Sequence, residues 1–141
     1  MRSFDWRAAF PEVWPAGRVG GFDIVLGNPP YVKLQNLMKV DLDVAAYLSA
    51  PRGDSTYASA QTGNFDLYLP FIEKGLRLLA PGGRMAFIAP SLWAVNQYGE
   101  GLRNLVRRGR HLDRWLDFKA YQVFEDVINL HGAAILHARA A

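Results

Sequence analysis

Two consecutive prolines, Pro29 and Pro30, directly follow a short apolar segment, and this junction limits the folds that are open to the chain. The segment FDIVL, residues 22 to 26, is β-branched and apolar, which is typical of a strand buried on both faces. A proline removes a backbone donor and restricts the residue before it, so the strand has to end near Asn28. The sequence therefore predicts a buried strand that leads into a stiff turn at residues 28 to 31.

The rest of the chain alternates between helical and strand patterns. Apolar residues at helical spacing predict an amphipathic helix with Asn64 as its N-cap, Pro70 at its start or at a bend, and the PGG of residues 81 to 83 as its stop. Another helix is predicted over residues 99 to 109, and a weaker pattern indicates one around 38 to 50. The further predicted strands are residues 84 to 90, 112 to 118 and 132 to 140.

This order of elements predicts an α/β fold with a mostly parallel sheet. The last two strands are too close in sequence for a crossover helix, so we expect them to pair in the antiparallel direction. The length of 141 residues predicts one domain, covering residues 1 to 141.

Composition excludes some classes of function. The chain has no cysteine, which excludes disulfides and thiolate metal sites, and His111, His131 and His137 are too scattered to suggest a metal site. The net charge of +3 suits a polyanionic partner without requiring one. The lack of cysteine fits a cytoplasmic location, and a soluble chain is expected because no apolar run reaches the roughly 18 residues of a membrane-spanning helix.

The turn at residues 28 to 31 offers hydrogen-bond acceptors at the carboxyl end of a strand, where ligands bind in open α/β sheets. The prolines hold the carbonyls of Asn28 and Pro29 outward, and the Asn28 side chain adds another oxygen. Two acceptors suit an amino group whose lone pair is conjugated, because binding both N–H groups lets that lone pair attack an electrophilic methyl group. Tyr31 would hold the attached ring by stacking. The alternative is that NPP only ends the strand and that Tyr31 is a surface anchor.

The segment FDIVLGNPPY, residues 22 to 31, resembles the catalytic motif of S-adenosylmethionine-dependent methyltransferases that act on adenine in DNA. The similarity covers about residues 4 to 136, including FDWRAAFPEVW and GNFDLYLPFIEKGLRLLAPGGRMAFIAPSLW. Over this length the chain is similar to the methyltransferase region of type IIG restriction-modification enzymes and phage-defence methylases. The resemblance implies the C-terminal half of a Rossmann-like sheet with an antiparallel last strand. It also implies methyl transfer to an adenine extruded from the DNA duplex.

The resemblance implies roles for the residues of the turn. Asn28 and Pro29 would accept the two amino hydrogens, in a catalytic turn completed by Pro30, and Tyr31 would stack on the base. Asn28 would also lie near the methyl group of the cofactor.

Two residues outside the turn are implied as well. Phe124, in YQVFEDV, would pack against the other side of the base; the alternative is a core anchor. Asp66, with Tyr68, would help to form the cofactor and target pocket. The alternative for Asp66 is an acid that stabilises a helix N-terminus, and for Tyr68 a half-buried ring.

Two parts of the family pattern are not found in this sequence. The cofactor-binding half, with its glycine-rich loop and acidic residue, would precede NPPY, and a target-recognition domain would follow. We therefore expect a piece of a larger enzyme that is inactive alone, with DNA and the two missing parts as its partners. An unpaired strand edge and self-association are expected too. Two other functions stay open: methylation of a protein glutamine amide, and an inactive fragment that serves only as an interaction module.

The basic run RNLVRRGRHLDR, residues 103 to 114, has two explanations. It could contact DNA phosphates, or it could be the solvated face of a helix, which we favour because a helix spreads these side chains around its axis. Trp93 and Trp115 are expected in the core.

Overall fold

The computed structural model describes residues 4 to 51, 53, 56 to 118 and 133 to 139. The described part contains one sheet with the strand order β1-β2-β4-β3. Its strands are β1 (Phe22–Gly27), β2 (Leu79–Pro90), β3 (Leu112–Asp117) and β4 (Ala133–Arg139).

The strand directions confirm the predicted sheet. Strands β1 and β2 are parallel, whereas β4 is antiparallel to both of its neighbours, β2 and β3. It follows that β1, β2 and β3 all run in one direction and that β4 alone runs in the other. The predicted α/β fold, mostly parallel with an antiparallel last strand, is therefore confirmed.

The described α-helices are α1 (Trp6–Ala9), α2 (Leu34–Val40), α3 (Leu42–Ser49), α4 (Tyr68–Leu78) and α5 (Glu100–Arg108). Short 3-10 turns cover Ala58–Ala60, Ser91–Ala94 and Gln97–Gly99. The main buried cluster includes side chains from α2 to α5 and from β2, with Leu69 and Ile72 of α4 fully buried. Among the described residues, no helix is long and apolar enough to cross a membrane.

The single helix predicted around residues 38 to 50 is in fact two helices. Asp41 separates α2 from α3 because its backbone is extended, with φ −149° and ψ 89°. Its side chain accepts a hydrogen bond from the Val44 backbone N–H at 3.0 Å, so Asp41 is the N-cap of α3.

Both predicted ends of the helix now called α4 are wrong. Asn64 is not its N-cap, because residues 65 to 67 pair with residues 32 to 34 through backbone hydrogen bonds of 2.9 and 2.7 Å. The helix therefore begins at Tyr68 and has Pro70 in its first turn, where the missing N–H of proline is tolerated.

The PGG of residues 81 to 83 does not end α4 but lies inside β2. Phe22 pairs with Leu79 and Ile24 pairs with Arg84, so β2 carries extra residues between these pairs. Gly82 has a φ of +77°, which a residue with a side chain rarely adopts, and this favours glycine in the irregular part of the strand.

The segment before β1 contains the short helix α1. The Asp5 side chain caps it by accepting hydrogen bonds from the backbone N–H groups of Arg7 and Ala8. The rings of Trp6, Phe10 and Trp14 surround the Phe22 ring of β1, with centroid distances of 5.9, 5.5 and 5.2 Å.

Strand β1 lies at one edge of the described sheet and exposes apolar side chains. Ile24 is 66% exposed and Leu26 is 73% exposed. They are two residues apart and therefore lie on one face of the strand, opposite to Val25, which packs on the core. An edge of this kind is prone to pair with another chain.

We expect the 141-residue chain to self-associate through β1, and Ile24→Lys to reduce this association because a charge on an edge strand opposes pairing. Sedimentation velocity over a range of concentrations measures the effect. Val40→Lys is the control, since Val40 is 87% exposed but lies on α2. A wild-type chain that stays monomeric at high concentration would contradict the expectation.

Candidate functional site

The turn that follows β1 lies at the carboxyl end of the parallel strands. Strand β1 ends at Gly27, where an added Cβ would lie 2.8 Å from a ring carbon of Phe87 on β2. A side chain here would force the Phe87 ring to shift, so glycine allows that ring to pack closely against β1. Beyond it, Asn28 is exposed and Pro29 is buried, so the turn is anchored at the proline and open at the amide.

Tyr31 holds the side chain of Asn28. Its hydroxyl donates a hydrogen bond to Asn28 Oδ1 at 2.6 Å and also lies 3.2 Å from the Ile88 carbonyl oxygen of β2. Burial raises the pKa of Tyr31, so the hydroxyl keeps its proton and remains a donor. An amide oxygen has two lone pairs, and Asn28 Oδ1 can therefore accept a second hydrogen bond.

A cavity of about 300 Å³ lies beside the turn. Asn28, Pro29 and Pro30 form one wall of it, and Trp6 of α1 and Lys74 of α4 are among the residues that form the others. The structure thus brings together three of the predicted catalytic residues. Tyr31 contacts Asn28 from outside this cavity lining.

Sequence reasoning gave no role to Trp6 or Lys74. Trp6 belongs to the FDW segment of the resemblance, which was the available signal. No feature of the sequence marks Lys74 as a functional residue, because lysines are common beside the apolar face of a helix. Within the described part of the chain, its ammonium makes no hydrogen bond or ion pair, and burial, with a smaller effect from Arg77, lowers its pKa.

Asp66 lies in a different cavity, of about 350 Å³. A backbone bridge pairs it with Lys33, two residues after Tyr31. Burial raises the pKa of Asp66, and the charge of Lys33 opposes this shift. The structure therefore places Asp66 near the turn but not against Asn28, and its role toward a cofactor stays a prediction. Tyr68 is fully buried, not half-buried, and its ring meets that of Tyr31 edge-on at 6.2 Å.

Phe124 lies outside the described residues, as does His131. Over residues 4 to 51, 53, 56 to 118 and 133 to 139, no group of three or more His, Asp or Glu side chains could hold a metal ion.

The long loop between α3 and α4 is attached to the core by Glu73, another residue that sequence reasoning missed. Glu73 is fully buried and accepts hydrogen bonds from the backbone N–H groups of Ala58 and Ser59 at 3.1 and 2.8 Å. It also forms an ion pair with Arg77. The available signal was a charged residue next to Ile72 on the apolar face of α4.

Two exposed arginines of the basic run lie toward the end of the sheet opposite to the turn, whereas Arg103 is partly buried and donates to the Trp93 and Asn96 carbonyls just after β2. Arg107 and Arg108 end α5 and lead to the amino end of β3. Because β3 runs parallel to β1, this end lies opposite to the carboxyl edge that carries Asn28. This placement supports the solvated helix face for Arg107 and Arg108, but Arg103 departs from it because its guanidinium binds backbone carbonyls.

Trp93 and Trp115 belong to the core, as expected. Trp93 is buried, Trp115 packs on the core cluster, and their rings meet edge-on at 5.6 Å.

Comparisons with known proteins show which family this chain resembles. Residues 1–124 match the family model of the Eco57I restriction-modification methylase. The type II methyltransferase M.PaeR7I of Pseudomonas aeruginosa is 37% identical over 120 residues, which are 85% of this chain and 19% of that protein. M.XhoI of Xanthomonas vasicola is 41% identical over 103 residues, which are 73% of this chain and 17% of that protein. The chain thus spans about a fifth of the length of these relatives.

A solved structure shares the fold. It is a Listeria monocytogenes protein assigned to the class I S-adenosylmethionine-dependent methyltransferases, with a TM-score of 0.55 and 16% identity. The match covers 86% of this chain and 32% of that one. The family model matches most of the length of this chain. The chain therefore belongs to the Eco57I restriction-modification methylase family.

Proposed function

We propose that this chain carries the catalytic turn of an adenine-specific DNA methyltransferase that uses S-adenosylmethionine in a restriction-modification system. One observation carries the proposal: Asn28 and Pro29 line the same cavity, and Tyr31 holds the Asn28 oxygen while leaving it able to accept a further hydrogen bond. Relatives named as type II methyltransferases support the same reaction class.

The chemistry follows from the two oxygens. The exocyclic nitrogen of adenine is a poor nucleophile because its lone pair is conjugated with the ring. Asn28 Oδ1 and the Pro29 carbonyl oxygen each accept a hydrogen bond from one of its two N–H groups. These bonds free the lone pair and stabilise the positive charge that develops on nitrogen. S-adenosylmethionine, when bound, supplies an electrophilic methyl group.

The chain fits the cofactor at its methyl end. Asn28 lines the cavity beside the turn, and Trp6 and Phe71 contribute apolar walls to it. The role of Asp66 toward the cofactor remains part of the proposal. We further propose that most of the cofactor site, and a target-recognition domain, belong to regions outside these 141 residues, because the relatives are about five times longer.

The target base must be extruded from the duplex, because the amino group of a stacked base cannot reach the cavity. The Tyr31 ring then stacks on one side of the base, and Phe124 on the other. A cytoplasmic location, where DNA and cofactor are both present, goes with this function.

The test is the chemical identity of the methylated product. The natural gene product that contains these residues is incubated with DNA and S-adenosylmethionine carrying a labelled methyl group, and the digested nucleosides are analysed by mass spectrometry. We expect N6-methyladenine. N4-methylcytosine, or label found only on a protein glutamine, would overturn the proposed substrate. Calorimetry on the 141-residue chain alone should show no cofactor binding, and measurable binding would contradict the proposed division of the site.

The Tyr31→Phe variant removes the hydroxyl and keeps the ring, so it tests the role of the hydroxyl alone. Loss of one neutral hydrogen bond predicts a decrease in kcat of about 3- to 10-fold, because Asn28 loses its orienting donor. KM for DNA should stay the same because the stacking ring remains, whereas Tyr31→Ala should also raise KM. Burial raises the pKa of Tyr31, so activity should not fall through its ionisation below about pH 10. A Tyr31→Phe variant with wild-type kcat would contradict the orienting role.

A further inference from the structure

Two adjoining cavities form a groove next to the catalytic turn. Their volumes are about 350 and 630 Å³, and they share Asn64, Asn96 and Tyr98. The groove begins at Lys33, two residues after Tyr31, and Asn96 follows the carboxyl end of β2. It therefore lies at the same edge of the sheet as the turn. We call it the amide groove.

Primary amides dominate the lining of the amide groove. They are Gln35, Gln61, Asn64, Asn96 and Gln97. Gln61 donates a hydrogen bond to the Tyr57 carbonyl at 3.1 Å. The other four side chains make no hydrogen bond to the part of the chain that the structure describes. Each thus presents two donors and one acceptor to a ligand.

The charges of the amide groove do not favour a phosphate. Among the residues that the structure describes, Asp66 and Glu100 line it, against a single cation, Lys33. An anion entering it would meet more negative than positive charge. A neutral ligand with donors and acceptors on one planar edge fits better, and a nucleobase has that chemistry.

The walls of the amide groove are fixed by bonds that do not use its amides. Arg103 donates to the Trp93 and Asn96 carbonyls, each at 2.5 Å, and so holds the turns after β2. The backbone bridge between Lys33 and Asp66 holds the opposite wall. A site fixed in this way loses little conformational entropy when a ligand binds.

We infer that the amide groove binds nucleobases adjacent to the target base and reads their edges through its free amides. This inference rests on the proposed function, because it takes the neighbouring turn to be the site of base methylation. Bidentate contacts between an amide and an adenine edge discriminate among bases, which gives this region a share in sequence preference.

The test measures how the bases next to the target affect the methylation rate. The natural gene product and its Asn64→Ala/Asn96→Ala variant are compared on DNA duplexes that differ only in those bases. The preference is the ratio of the methylation rates with the best and the worst neighbouring base. We expect this ratio to be at least about 5-fold smaller in the variant than in the wild type. Asn36→Ala, an exposed amide on α2 that lies outside the groove, is the control and should keep the preference.

The outcomes separate this inference from the proposed function. If the wild type methylates adenine and the double variant is slower but keeps the same preference, the amides are structural and the inference is wrong. If the wild type has no preference at the neighbouring bases, the inference is also wrong, although the proposed function survives. If the wild type does not methylate DNA but methylates a glutamine peptide, both fail. Thermal unfolding of the variant shows whether it is folded, and Gln35→Ala provides a milder second change.

Discussion

Replacing Asn28 by alanine is expected to decrease methyl transfer by a factor of about a hundred to a thousand, the usual effect of removing one preorganised polar contact to a transition state. Asn28 lines the cavity, and its side-chain oxygen is held by Tyr31. Its loss leaves the Pro29 carbonyl as the only one of the two proposed acceptors. The decrease should fall on kcat, measured in single-turnover experiments with saturating DNA, because the contact matters most when charge develops on nitrogen.

Two variants make this result specific. Asn28→Asp keeps an acceptor at the same place and should retain more activity than Asn28→Ala. Asn36→Ala removes an exposed asparagine from α2 and should leave kcat unchanged. If Asn28→Ala keeps more than about a tenth of wild-type kcat, the side-chain oxygen is not a principal acceptor.

Replacing Glu73 by alanine is expected to destabilise the protein by about 3–5 kcal/mol, the cost of breaking a buried charged pair by removing one partner. The fully buried carboxylate accepts two backbone N–H groups from the Ala58–Ala60 turn and pairs with Arg77. All three contacts disappear in the variant. Chemical denaturation followed by circular dichroism measures the change in the free energy of unfolding.

Further variants distinguish the contribution of the Glu73 charge to stability from that of its hydrogen bonds. Glu73→Gln keeps one acceptor oxygen and nearly the same volume, so it should lose less stability than Glu73→Ala. Glu12→Ala removes an exposed acid and should change stability by less than about 0.5 kcal/mol. A Glu73→Ala variant as stable as the wild type would show that the loop does not depend on this anchor.

The catalytic turn could be predicted from the sequence because its cause is local. A β-branched run that ends in two prolines has few other structures, and the fixed φ of each proline carries over directly into the fold. The antiparallel direction of β4 was predicted correctly, but residues 118 to 132 between β3 and β4 exceed the roughly dozen that a crossover needs, so the length of this connection did not determine it. In contrast, the start of α4 depends on a backbone bridge between Lys33 and Asp66, which are far apart in sequence.

The roles of Glu73, Trp6 and the amide groove also depend on distant contacts. Glu73 meets a loop that precedes it by about 15 residues. Trp6 reaches the cavity beside Asn28 only because its ring packs edge-on against Phe22 of β1. The amides of the groove come from three separate segments of the chain. No local sequence pattern predicts these long-range contacts, because they are determined by tertiary packing.

The most direct measurement is a structure of the natural gene product bound to DNA that contains its target site. We expect an adenine outside the duplex, with its exocyclic nitrogen about 2.7–3.2 Å from both Asn28 Oδ1 and the Pro29 carbonyl oxygen. We also expect the Tyr31 ring to lie against the base. An extruded base whose amino group points away from Asn28, or a cavity closed to the base, would contradict this expectation.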